Sequence, residues 1–481
     1  MHMRPSSIAA ALAFVVLGAA ASDAKTLYVN ASTGNDATTY AANSASAPWR
    51  SIARAAWGST SRNSPNASEA ARAGDTVLVA PGVYSTNESG SSRNVPVLNP
   101  ANSGTSGSPI IFQAAGGGRS EIRSATYGGP AIGTNGRNWI IWDGFYIDEA
   151  NVNTVADTGP VVVWSANNVI LRNLELRGKH ATWSDNHNAV RIEQADRVTL
   201  QNSTIYGFTM SQGGRNGSAV MMYYDTNITI ENNTIHSSDG GIFVKGANMG
   251  PFLIRRNLLY GITSDAIAFG GLGLPSGSAG AVAVQNVVRN SGSGFAFIGY
   301  DTYSPNNILM ANNTLYDNAK GFFFKPDAAG YRNFRIYNNL VSNSDVSMQA
   351  EDISNLGAVT AQHNYYHAGG THARLNYANY TLSQWQSSLG KDNNAPAARS
   401  GDPLFVAAAS GDFRLQAGSP ARSGGIDIAD LNGNGSTTDG IAVGAYITGT
   451  EVIGAGGAVA PPPPPPPAPP TAPTGVRIVS P

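Results

Sequence analysis

The chain has 481 residues, 42% of them hydrophobic and only 13% charged, with a formal net charge of −1 and no cysteine. That composition supplies a long apolar core. It excludes disulfides and thiolate metal sites, and the balanced charge excludes the broad basic footprint of a nucleic-acid binder, so an anionic partner has to meet a local patch.

In chain order, residues 1–24 read as a secretory signal. Arg4 supplies the positive start, Ile8 to Ala21 the apolar run, and Ala19-x-Ala21 or Ser22-x-Ala24 the small-residue cleavage site. The run is short for a membrane span and no other segment is a candidate for one, so a secreted or periplasmic protein is expected. Residues 25–135 form an N-terminal cap and the first coils. Leu27 to Asn30 is a short strand, and Gly74 to Tyr84 is a buried strand closed by a Pro81-Gly82 turn. Between them, Pro48 to Trp57 has helical apolar spacing (Trp49, Ile52, Ala53, Ala56) with Pro at its head. A short helix there would cover the open end of a stack of coils.

Residues 136–370 repeat one pattern: five or six alternating residues, then Asn, then a turn. Asn168 to Asn173, Arg197 to Asn202, Asn227 to Asn232, Asn307 to Asn312 and Asn333 to Asn338 all follow it. The final Asn falls at 173, 202, 232, 286, 312 and 338, with Arg256 and His363 in the same place in two coils. A period of this length marks a solenoid. Alternating β-branched and aromatic residues mark strands, and Asn tolerates the left-handed corner and bonds to nearby backbone. With no helix-length apolar period between strands, the fold class is all-β: a right-handed parallel β-helix.

A second strand leads each Asn-terminated one. Alternation points Val190 and Ile192, Val220 and Met222, Ile242 and Val244, Ile267 and Phe269, and Phe322 and Phe324 inward. It leaves two outward columns: Arg191, Met221, Phe243, Ala268 and Phe323, and beside them Glu193, Tyr223, Lys245, Gly270 and Lys325. Residues 371–450 read as a closing segment. Residues 451–481 are a proline-rich spacer (Pro461 to Pro467) and a tail that resembles the first strand of a fibronectin-type module.

The order Tyr28-Val-Asn, Gly34-Asn-Asp, Pro48-Trp-Arg-Ser-Ile, Gly74-Asp-Thr-Val, Pro81-Gly-Val-Tyr and Ser103-Gly-Thr to Ser108-Pro-Ile resembles the N-terminal region of secreted β-helix polysaccharide lyases. It is most similar to family 9 pectate lyases, with the family 6 alginate and chondroitin lyases further off. The resemblance implies an acidic polysaccharide as partner and β-elimination as the reaction. No nucleic acid, organic cofactor or second subunit is expected.

The outward columns offer residues for that chemistry, which needs a cation on the carboxylate, a base, and a proton for the leaving oxygen. Lys245 is the expected base. Arg191 is the expected cation, and Tyr223, His187 and His236 are rival acids or bases. Glu193, Phe243, His180 and Lys325 are expected to hold sugar, with the group facing solvent and Phe243 stacking on a ring. The resemblance also implies a calcium ion. The family's Asp-Asp-Gly-x-Asp box falls on Ser238 to Ile242, where Asp239 and Gly240 match, and Asp185 and Asp265 on flanking coils add oxygen. Asp430, Asn432 and Asn434 with Gly435 resemble half of an EF-hand loop, although position 12 is Ile441 rather than Glu; a polar turn is the competing reading. Three alternatives share the fold: hydrolysis by Glu193 with Asp185 or Asp239, C5 epimerisation by the lyase residues, and glycan binding or surface adhesion without catalysis.

Overall fold

Each coil of the chain lays one strand in each of three parallel sheets. Val190–Glu193 lies in one sheet, Asp196–Gln201 in the next and Thr204–Tyr206 in the third, and a longer turn then leads to Ser218–Tyr223 one coil on. The sheets hold 12, 11 and 11 strands. This computed structural model describes residues 24–86, 93–124, 127–152, 154–155, 158–179, 186–211, 213–272, 280–299, 304–326, 330–393, 400–428 and 430–456. The signal-like segment up to residue 23, His180, Asp185, Pro461 to Pro467 and the tail lie outside those residues. The result is an all-β, right-handed parallel β-solenoid with a short N-terminal helix.

Alternation decides the core. Val190, Ile192, Val220, Met222, Ile242, Val244, Ile267, Phe269, Phe322 and Phe324 are all fully buried in one continuous cluster. In-register pairing stacks like on like: Phe297 lies 4.6 Å from Phe324 and Phe295 lies 5.5 Å from Phe322, both as stacked rings. Such stacking gives each coil an apolar face that only its neighbours can bury.

The sharp corner sits where the Asn pattern predicts, with one change of register. Asn173, Asn202, Asn232, Arg256, Gln285, Asn312, Asn338 and His363 have φ between 51° and 59°, the left-handed region that Asn visits at least cost. The corner of the fifth coil is therefore Gln285; Asn286 belongs to the following column. That following column is the ladder: Asn233 donates through Nδ2 to Asn257 Oδ1, and Asn257, Asn286, Asn313 and Asn339 repeat the bond, ending on Asn364, at 2.9 to 3.0 Å. Each Oδ1 also takes the backbone N–H of the preceding rung, as Asn257 does for Asn233. The ladder ends on Asp392, whose Oδ1 accepts from Asn364 while Oδ2 accepts from Tyr366 and Trp385.

The two ends are closed differently from the middle. A helix, α1 (Ile52–Trp57), starts at Ser51, whose hydroxyl accepts the Arg54 N–H, and stops at Gly58 in the left-handed region. Pro48 and Trp49 precede it: Trp49 bridges Val29 instead, because Asp36 binds Arg50 N, Ser51 N and Ser51 Oγ and sets the helix start there. At the far end α2 (Leu382–Leu389), opened by a Thr381–Gln384 capping box, drives Trp385 into the core. The chain then returns along the ladder corner. Gly444 N–H bonds Asn338 O and Ala445 N–H bonds Thr314 Oγ1; ten residues on, Gly454 N–H bonds Arg256 O and Ala455 N–H bonds Thr234 Oγ1. One Gly-Ala unit thus docks twice, three coils apart, on the same repeated surface. Among the described residues no helix is long and apolar enough to cross a membrane.

Candidate functional site

The outward face of the second sheet brings Arg191, Tyr223 and Lys245 together on consecutive coils. Pairing sets Glu193 opposite Tyr223, and Lys245 follows one residue after the Met222–Val244 pair. The Tyr223 ring lies between two cations: the Arg191 guanidinium is 4.8 Å from its centre and Lys245 Nζ is 5.6 Å away. These distances are within the range of cation–π attraction. Lys245 Nζ is also 5.8 Å from the Phe243 ring and donates to Asn216 Oδ1 at 2.8 Å.

These residues do not face open solvent as the alternation predicts. Arg191 and Glu193 are each 5% exposed and Lys245 is 8% exposed. Arg191 reaches Glu193 Oε2 through Nε at 2.9 Å and through its terminal nitrogen at 2.8 Å. Phe243 is 2% exposed and lies in a second apolar cluster with Met221, Ala268, Ala296 and Phe323. A Cβ at position 270 would sit 2.7 Å from the Phe243 ring, so Gly270 is the floor that ring lies on. A ring packed in this way has no free face for a sugar. Alternation assigns a side chain to a face of the sheet, but not what the connecting turns lay over that face. The turn 207–217, which ends in the 3-10 segment Arg215–Gly217, carries both Asn216 and the guanidinium that binds Asp265.

The remaining candidates lie elsewhere. His187 is fully buried; Nε2 is 2.6 Å from Glu149 Oε2, Nδ1 is 3.3 Å from Thr209 O, and the ring packs on Phe208. His236 belongs to the third sheet, stacked between Tyr206 at 5.0 Å and Tyr260 at 4.8 Å, on a different face from Lys245. Lys325 is three coils along the same face, with Nζ 5.6 Å from the Phe323 ring.

Of the carboxylates expected at calcium, Asp239 and Asp265 hold protein donors, and Asp185 lies outside the described residues. Asp265 Oδ2 takes Arg215 Nε at 2.7 Å and its terminal nitrogen at 2.6 Å. Asp239 takes Met210 N–H on Oδ2 at 2.7 Å and the Thr263 hydroxyl on Oδ1 at 3.1 Å. Among the described residues no three His, Cys, Asp or Glu side chains group as a metal site. No step below is routed through a metal ion. In the loop from 427 to 439 the Asn432 and Asn434 amides both donate to Asp439 Oδ2, which lowers its pKa, and Asp430 Oδ1 accepts from Gly435 N. The loop closes on its own hydrogen bonds, as a polar turn does.

Sequence reasoning missed three residues here. Asn216 and Arg215 lie on a turn whose length changes from coil to coil, so no period points to them. Asp225 sits at the corner beyond Tyr223 and Tyr224, its Oδ1 taking Ala195 N–H at 2.9 Å, and burial drives its carboxyl well above the usual range. Tyr224 beside it is 51% exposed at φ 58°, an unusual conformation for an aromatic residue.

Residues 160–365 match the family model described as the right-handed beta helix region. Among solved structures, pectate lyase Pel9A is similar at 15% identity and a TM-score of 0.52, over 88% of this chain and 96% of that one. The PL6 family polysaccharide lyase Pedsa3628 from Pseudopedobacter saltans is similar at 14% identity and a TM-score of 0.44, over 73% of this chain and 95% of that one. The A-module of Azotobacter vinelandii mannuronan C-5 epimerase AlgE4 follows at 15% identity and 0.42, over 62% and 81%. No curated protein matches this chain. The chain is a β-solenoid of the architecture seen in pectate lyase Pel9A, at low identity.

Proposed function

We propose that this protein is a secreted carbohydrate-active enzyme that cleaves a uronate-containing polysaccharide by β-elimination on the outer face of the second sheet. The observation that carries the reading is the sequence Arg191, Tyr223, Lys245 on three successive coils, with the phenol ring between the two cations. Lys245 takes the proton from the carbon beside the substrate carboxylate. The electron pair left behind forms the double bond, the bond to the glycosidic oxygen breaks, and the Tyr223 hydroxyl protonates that oxygen. Arg191 provides positive charge for the carboxylate as the carbanion develops. Pel9A, similar across nearly its whole length, shares the architecture; fold alone does not assign the reaction.

A second reading, a glycan-binding solenoid without catalysis, is favoured by one observation. Arg191, Glu193 and Lys245 are almost fully buried and already hold protein partners, as residues of a structural network do. Epimerisation would use the same proton abstraction without cleavage. The test is incubation of the protein with pectate, alginate and glycosaminoglycans, reading ultraviolet absorbance of unsaturated ends, new reducing ends, and proton exchange into the sugar. Absorbance with reducing ends supports elimination. Reducing ends without absorbance indicate hydrolysis, exchange without cleavage indicates epimerisation, and binding alone supports the second reading.

A further inference from the structure

We propose that the Tyr224 ring, with Met249 on the next coil, is a platform for one sugar ring of a uronate chain. The inference rests on the reading of the second sheet's outer face as the place where that chain lies. Successive coils leave this sheet through a left-handed residue: Ser165 after Trp164, Gln194 after Glu193, Tyr224 after Tyr223 and Gly246 after Lys245, with φ of 47°, 56°, 58° and 81°. Gly suits such a corner by its freedom, and the polar pair is joined along it, Ser165 Oγ donating to Gln194 Oε1 at 3.1 Å. A phenol ring brings neither advantage. A bulky residue persists in this region where its surroundings or a function require it.

The surroundings do not require it. Tyr224 is 51% exposed and belongs to none of the apolar clusters of the described residues. Among those residues its ring contact is Tyr223, with centres 6.4 Å apart and an interplanar angle of 29°. In the next coil the corner is cut back to Gly246, where an added Cβ would lie 2.9 Å from the Tyr223 ring. Met249 follows, 40% exposed, with its N–H on Asp225 O. Two large apolar side chains are thus exposed on adjacent coils, at the edge of the face that carries Arg191 and Lys245. A pyranose ring presents C–H groups on its face and hydroxyls or a carboxylate on its rim. The corner offers an apolar surface to the face, and the adjoining sheet offers the cations of the proposed reaction to the rim. Because Tyr224 lies beside Tyr223 and not between the cations, it takes a sugar neighbouring the one that reacts.

The test compares Tyr224→Gly and Tyr224→Trp with Tyr377→Gly. Tyr377 is also exposed and left-handed, at φ 66°, but it lies in the hairpin turn between Leu375 and Ala378 at the far end of the solenoid. Affinity for tetragalacturonate and tetramannuronate is read by calorimetry in a Lys245→Ala background, and KM and kcat in the otherwise wild-type chain. Tyr224→Gly is expected to weaken tetramer binding and to raise KM by about tenfold each, with kcat within about threefold. Its melting midpoint stays within about 2 °C of the parent or rises, because Gly suits the backbone there. Tyr224→Trp keeps the platform and the affinity, and Tyr377→Gly changes neither quantity. Affinity and KM within about twofold of the parent in Tyr224→Gly overturn the inference, as does a parent that binds neither tetramer. A fall in kcat at unchanged KM overturns it by placing Tyr224 in the chemistry, and a clear drop in melting midpoint overturns it by making the ring structural. Weaker binding in Tyr224→Gly by a chain that cleaves no polymer keeps the platform and removes the elimination reading.

Discussion

Replacing Asn313 with Ala breaks the ladder in the middle, and its effect follows from the bonds it removes. Asn313 Oδ1 accepts from Asn286 N at 3.0 Å and from Asn286 Nδ2 at 2.9 Å, while its own Nδ2 donates to Asn339 Oδ1 and to Ala283 O, each at 2.9 Å. Asn286 and Asn313 are fully buried. Truncation leaves the Asn286 backbone N–H and the Ala283 carbonyl without those partners, away from water. At about 1–3 kcal/mol for each of these two orphaned buried groups, the loss is about 2–6 kcal/mol, a large share of a typical stability of about 5–15 kcal/mol. The control is Asn333→Ala, which removes one exposed side-chain bond, to Asn307 at 2.9 Å; Asn333, unlike Asn313, is left-handed. That change should stay near 1 kcal/mol. Because solenoids open in segments, the assay pairs urea denaturation with amide hydrogen exchange at Asn286. A loss for Asn313→Ala within about 1 kcal/mol of the control, with Asn286 still protected, would refute the ladder as a main source of cohesion.

Other consequences are smaller and independent. Burial holds His372 down at about 4, and its ring packs edge-on to Tyr366 and against Trp385 under α2. The unfolded chain therefore binds that proton first, so the stability His372 contributes is complete above about pH 6.5 and is lost as pH falls to about 4, by on the order of 3 kcal/mol. Buried Asp225 and Asp392, both raised, act in the opposite direction, so the prediction is read as the difference between wild type and His372→Phe across that window. A difference that does not change with pH contradicts it. Gly270→Val should displace the Phe243 ring, which an added Cβ would approach to 2.7 Å, and destabilise the protein by about 1–3 kcal/mol in thermal or urea melts. Because Asp239 and Asp265 are engaged by protein donors, a chelator should shift the melting midpoint by no more than about 2 °C and leave any turnover intact. A rise of about 5 °C or more in millimolar calcium would show a bound ion.

The sequence showed the fold because a solenoid writes its rules at short range. Alternation at Val190 and Ile192 identifies an inward face, and the repeated Asn identifies a corner, without knowledge of any distant contact. It misassigned one rung, Asn286, because two adjacent columns both favour Asn, and in the coil that reads Gln285-Asn286 only the backbone shows which residue turns. The site was less legible. Alternation placed Arg191, Tyr223 and Lys245 on one face, but the predicted exposure failed where turn 207–217 brings Asn216 to Lys245 and Phe243 folds onto Gly270. Those contacts depend on loops of irregular length, which no periodicity encodes. His236 was grouped with Lys245 by proximity in sequence, although one full corner separates their sheets.

The most direct test of the central claim compares Lys245→Ala with Lys320→Ala on the uronate polymer the wild type cleaves. Lys320 is a lysine of the same sheet, close to the Phe323 ring and three coils further on. The account predicts that unsaturated ends form at least about 10²-fold more slowly in Lys245→Ala, with Lys320→Ala close to wild type and both variants folded. Full activity in Lys245→Ala would contradict it and place the reaction elsewhere on the solenoid.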